Sequence, residues 1–77
     1  MQGPAIYPGT FDPPHKGHLD LVRRGVRLFG ELVVAVADNR EKDTLFTPEE
    51  RVAWLRQCTA DLPQVRVVRF KGLVVDL

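Results

Sequence analysis

The stretch Tyr7-Pro8-Gly9-Thr10-Phe11-Asp12-Pro13-Pro14-His15-Lys16-Gly17-His18 constrains this chain more than any other. A short apolar segment, Ala5 to Tyr7, runs into it, and an amphipathic segment leaves it. That order predicts a strand, a loop rich in Gly and Pro, and a helix. The prolines at 13 and 14 keep the residues before them out of the α region, so the helix starts after them. In open α/β sheets ligands bind beyond the carboxyl ends of the strands, where such a loop sits. The helix start behind it offers backbone N–H groups and a partial positive charge, which suits a phosphate. His15 and His18 would project into one site, and Gly17 between them would let a flat ligand approach the backbone.

The rest of the chain repeats this alternation. Leu19, Val22, Val26 and Phe29 follow a helical period, Arg23, Arg24 and Arg27 take the other face, and Gly30 suits a left-handed stop. Leu32 to Ala37 is an unbroken apolar run, as expected of a parallel strand covered on both faces. Asp38 to Thr44 reads as a polar loop at its carboxyl end. Thr47-Pro48-Glu49-Glu50 is a helix start: Thr47 caps, Pro48 takes the first helical position and Glu50 closes a capping box. Val52, Leu55 and Thr59 or Leu62 form that helix's apolar stripe, with Trp54 beside it, and Pro63 ends it. Val65 to Phe70 reads as a third strand, and Gly72 to Leu77 begins a further apolar segment. The expected fold class is therefore α/β: a Rossmann-like parallel sheet, the β-α-β-α-β half of a doubly wound fold, with strand order 3-2-1.

Two common nucleotide loops are missing from the sequence, the G-x-x-x-x-G-K-[ST] P-loop and the G-x-G-x-x-G dinucleotide turn. What stands in their place is G-T-F-D-P followed by H-x-G-H. This resembles the nucleotidyltransferase superfamily that carries an H-x-G-H or T-x-G-H motif. The wider string A-I-Y-P-G-T-F-D-P resembles its pantetheine-phosphate adenylyltransferase family. So do Leu28-Phe29, Val33 to Ala37, Lys42 with Leu45-Phe46, Glu49-Glu50-Arg51-Val52 and Gly72 to Asp76.

The resemblance implies transfer of AMP from ATP to 4′-phosphopantetheine, giving dephospho-coenzyme A and pyrophosphate, with Mg2+ accompanying ATP. It implies that His18 contacts ATP and stabilises the transition state, and that Thr10 and Phe11 bind ATP. Thr10 would also hold the acceptor phosphate, Lys42 the acceptor, and Val74 the pantetheine arm. His15 and Gly17 are expected on the ATP side. Outside such a motif His18 would read as a capping or surface histidine, and His15 stays open between a phosphate contact and an exposed residue. The family usually has threonine at the His15 position. F-D-P-P-H-K-G-H is closer to nicotinate-mononucleotide adenylyltransferases and cytidylyltransferases, which stand as the alternative, beside a nucleotide-binding module without catalysis. Asp12 is most simply a turn former.

Composition narrows the setting. The 77 residues allow one domain, residues 1–77, expected to be truncated at its C-terminal end because the family's ATP-binding arginines and serine-rich loop have no counterpart. A chain this short buries about two-thirds of its unfolded surface, so its stability should be marginal. The net charge of +1 gives no reason to expect nucleic acid or a membrane surface as partner. The longest apolar run is too short to span a bilayer. Cys58 alone cannot form an internal disulfide, and a cytoplasmic protein is expected. His15, His18 and Cys58 lack metal-type spacing, so no protein-held metal is expected. The resemblance implies a homo-oligomer, a hexamer.

Overall fold

The computed structural model describes residues 4–38 and 45–71. The elements run β1 (Ala5–Gly9), α1 (Lys16–Phe29), β2 (Leu32–Asp38), α2 (Pro48–Cys58) and β3 (Val65–Lys71). The three strands form one parallel sheet in the order β1-β2-β3. Tyr7 lies beside Val34, and Val34 beside Val67. This is the expected half of a doubly wound sheet, with its strand order.

The period of two along each strand sorts residues between the faces. Leu32, Val34 and Val36 of β2 and Val67 of β3 cluster with Val22 of α1, with Val52 and Leu55 of α2, and with Phe11 of the first loop. Both helices therefore cover the same face of the sheet. Gly25 brings α1 close: a side chain there would meet Leu32 at 3.2 Å. The other face carries Ile6, Pro8, Val33, Ala35, Val68 and Phe70, which line a shallow apolar groove of about 370 Å³.

Several boundaries differ from expectation. β1 runs on through Pro8 and Gly9 instead of ending at Tyr7. It has β2 on one side only among the described residues, and an edge strand tolerates a proline that cannot donate. β2 takes in Asp38, which is buried rather than in the loop. Phe29 is 64% exposed, so α1 buries Val22 and Gly25 and its stripe stops short of the last turn. α2 ends at Cys58, with Thr59 as its C-cap, and not at Pro63. The Thr59 N–H and hydroxyl both donate back to the Leu55 carbonyl, and the Leu62 N–H then donates to the Thr59 carbonyl at 2.9 Å. β3 extends one residue further, to Lys71. Gly30 stops α1 with φ of 84°, as its lack of a Cβ allows. The expected apolar segment after Gly72, including Val74, and the loop carrying Lys42 lie outside the described residues.

Candidate active site at the carboxyl end of the sheet

The loop from Thr10 to Pro14 leaves β1 at the carboxyl end of the sheet and delivers the chain to α1. Its first turn is tight. Phe11 has φ of 54°, a left-handed conformation uncommon for a residue with a bulky side chain, and the Asp12–Pro13 peptide is cis. The Phe11 ring is 3% exposed. It stands edge-on to Tyr7 (5.3 Å between centroids) and to His18 (4.7 Å), and His18 in turn stacks on His15 (3.8 Å). Gly9 makes the turn possible. A Cβ on it would lie 2.9 Å from the Phe11 ring.

Both histidines are fixed by the start of α1. His15 is the N-cap, and its Nδ1 accepts the Gly17 N–H at 3.1 Å. The His15 N–H donates to Nδ1 of His18 at 3.0 Å. This is a capping box built from two imidazoles where Ser/Thr and Glu commonly serve. An imidazole whose Nδ1 accepts must, when neutral, carry its proton on Nε2. His18 therefore presents Nε2–H as its donor. Burial, and then the charge of His15, lowers the His18 pKa below its ordinary value. The neutral form is thus favoured near neutral pH.

Gly17 is exposed, and a Cβ there would meet the His15 imidazole at 3.0 Å. The Gly17 N–H is likewise engaged by His15. Thr10 is exposed at the mouth of the loop, as a ligand contact requires. Sequence spacing thus brings Thr10, Phe11, His15, Gly17 and His18 together, while Lys42 and Val74 fall outside the described residues.

Two further residues organise this end of the sheet. Asp12 is more than a turn former: its carboxylate accepts the N–H groups of Leu45 (2.6 Å) and Phe46 (2.9 Å). Arg51, 1% exposed, donates from Nη1 to the carbonyls of Thr10 (2.7 Å) and Ala37 (3.1 Å), and from Nε to that of Phe46 (3.1 Å). Nothing in the sequence singled out Arg51 for such a role. The one available signal was an arginine flanked by Val52 and Leu55 on the face that α2 must bury. At the ends of β2 and β3, Arg69 bridges Asp38 (3.1 Å) and Glu49 (2.6 Å). The Glu49 pKa is lowered by its own backbone N–H at the helix start and then by Arg69.

These pairings bear on a metal. Asp12 is occupied by two N–H groups, and Asp38 and Glu49 by Arg69. Among the described residues no group of three or more His, Cys, Asp or Glu side chains is arranged to hold a metal ion. Nor is any helix among them long and apolar enough to cross a membrane.

Comparison with known proteins is consistent along nearly the whole chain. A family model described as cytidylyltransferase-like matches residues 6–77. A phosphopantetheine adenylyltransferase from Thiobacillus denitrificans is 60% identical over 72 residues, covering 94% of this chain and 45% of that protein. One from Nautilia profundicola is 47% identical over 76 residues, covering 99% of this chain and 49% of its own length. One from Aquifex aeolicus is 54% identical over 71 residues, covering 92% of this chain and 44% of its own. The chain thus spans about half the length of the curated relatives it matches. A crystal structure of a NadR protein in complex with NAD and AMP-PNP superposes with a TM-score of 0.75 at 24% identity. It covers 95% of this chain and 21% of the other, and shows a shared fold.

Proposed function

The chain belongs to the cytidylyltransferase-like family, and on that premise we propose that it serves adenylyl transfer from ATP to 4′-phosphopantetheine. One observation carries the choice: relatives bearing the name phosphopantetheine adenylyltransferase match it at 47–60% identity over 71–76 residues, the first loop included. In the reaction a phosphate oxygen of 4′-phosphopantetheine attacks the α-phosphorus of ATP. The P–O bond to the β-phosphate breaks, pyrophosphate leaves with the electron pair, and dephospho-coenzyme A is formed. The attacking group is already an anion, so no side-chain nucleophile is needed. The protein's task is to align two phosphates that repel each other and to stabilise the charge that develops as pyrophosphate departs.

His18 suits the leaving side. Its Nδ1 is tied to the His15 N–H, which leaves Nε2–H as the donor. Its neutral form donates one hydrogen bond from Nε2 while Nδ1 keeps accepting the His15 N–H. Thr10 and Phe11, at the mouth of the loop, would contact ATP, with Thr10 also reaching the acceptor phosphate. Lys42 would hold that phosphate as a point charge, and Val74 would line the pantetheine arm. His15 and Gly17 would act through the cap they form, as support for His18. The donor set does not suit a magnesium ion held by side chains of the described residues, and such an ion would enter on the ATP phosphates. A homo-oligomer belongs to the same proposal.

Replacing His18 tests the assignment. In this chain joined to the remainder of the Thiobacillus denitrificans relative, His18→Ala should lower turnover by about 10²–10³-fold, the usual loss for one transition-state donor. Acceptor binding should change far less. Near-normal turnover would remove His18 from the reaction. Lys42→Ala should chiefly raise the KM for 4′-phosphopantetheine, and an unchanged acceptor KM with weakened ATP binding would reverse the assignment of that side.

A further inference from the structure

We propose that Arg51, with Asp12, is a positioning pair that sets the Thr10–Phe11 turn and through it the His18 imidazole. The two side chains grip the turn from either side. Arg51 holds the carbonyl of Thr10, the residue before Phe11, and Asp12 is the residue after it. Both grips end on the same segment. Arg51 donates to the Phe46 carbonyl, and Asp12 accepts from the N–H groups of Leu45 and Phe46. The loop after β1 is thereby cross-linked to the chain entering α2.

The arrangement has a cost that only an ordered turn offsets. A guanidinium at 1% exposure has left water, and it is tolerable because backbone carbonyls receive its N–H groups. Phe11 holds a left-handed backbone that a free chain would leave. The Thr10–Phe11 peptide is trans, and a planar trans peptide directs its N–H opposite to its C=O. Drawing the Thr10 carbonyl inward onto Arg51 therefore turns the Phe11 N–H away from the buried guanidinium. It also seats the Phe11 ring against His18 at 4.7 Å. The rings facing His18 are Phe11, Tyr7 and the stacked His15, and the Phe11 face is the one that this pair controls.

The test uses Arg51→Lys, which keeps the charge but loses the planar fork, and Asp12→Asn, which keeps one acceptor of two. The first readout is the His18 imidazole titration by NMR in this chain, with Arg23→Ala on the exposed side of α1 as control. Loosening Phe11 rewets His18, so its pKa should rise toward the ordinary 6.5 in both variants and stay put in the control. An unchanged His18 titration in a folded variant would overturn the proposal. Should Arg51→Lys fail to fold, Asp12→Asn gives the same readout.

The second readout rests on the proposed adenylyl transfer. In the joined protein, turnover per folded molecule should fall about tenfold or more, as expected when a reacting group is displaced. Retained turnover in either folded variant would also overturn the proposal. If the unmutated joined protein transfers no adenylyl group, it is the proposed function that fails, and the His18 titration still decides the role of Arg51 and Asp12.

Discussion

Phe11 is the residue on which the local geometry turns, and Gly9 is the one that makes room for it. A methyl group at Gly9 would lie 2.9 Å from two ring carbons that have little freedom to move, since the ring is 3% exposed. Gly9→Ala should therefore destabilise the chain by about 1–3 kcal/mol, in the range of overpacked cores. It should also displace the ring from His18, seen as a lower melting temperature together with a lost ring-current shift on the imidazole. A melting temperature within a degree or two of the unmutated chain would contradict it. The His18 shift sets a pH dependence with a definite sign. Its native pKa is lowered, by burial and then by His15, so below the ordinary 6.5 the unfolded chain takes up the proton first. The stability from a neutral His18 is complete above that pH and is lost as pH falls toward and through the native value. The urea midpoint should drop between about pH 7.5 and about pH 5, and His18→Gln should flatten that drop. At this scale sequence reading found the loop and both histidines, because their types and spacing are the signal. It missed Arg51 and undervalued Asp12. The Asp12 partners at Leu45 and Phe46, and the Thr10 carbonyl that Arg51 holds, are backbone groups more than thirty residues away, and a sequence does not display which of them a fold will bring within reach.

Helix starts were the most legible elements, since a cap is a local pattern. The Thr47 hydroxyl accepts the Glu50 N–H at 3.1 Å, and the Glu50 carboxylate accepts the Thr47 N–H at 2.9 Å. Thr47→Ala should cost about 1 kcal/mol. In a domain of this size that corresponds to a melting temperature lower by about 4–8 °C. A shift below about 1 °C would show that the cap adds little to α2. The prolines place the start of α1, and the sequence offers a capping part for His18, but His15 as the N-cap is not legible because imidazoles are rare in that role. Element ends were less legible. Pro8 stops a central strand but not an edge one, and in the order β1-β2-β3 the first strand is an edge among the described residues. Pro63 marks a place beyond which α2 cannot run, while the C-cap at Thr59 is where it does stop.

For the molecule as a whole, alternating strands and helices were enough to give the parallel sheet and its order, since a chain of this pattern has few other ways to bury its apolar runs. Among the described residues, the face left without a helix follows from the same topology. Both helices lie on one side, and Ile6 at 66% and Phe70 at 41% exposure border the apolar groove on the other. An apolar face of this kind favours self-association. The 77-residue chain should sediment as more than a monomer at micromolar concentration, and Ile6→Lys should shift it toward monomer; a monomer throughout would contradict this. The central claim, however, concerns chemistry at the carboxyl end of the sheet, and pyrophosphate release measures it most directly. This chain joined to the remainder of the Thiobacillus denitrificans relative would be given ATP or CTP with 4′-phosphopantetheine or nicotinate mononucleotide in turn. The account predicts pyrophosphate from ATP with 4′-phosphopantetheine, and its loss by about 10²–10³-fold in His18→Ala. Turnover only with nicotinate mononucleotide, only with CTP, or with neither acceptor from a folded protein would contradict it.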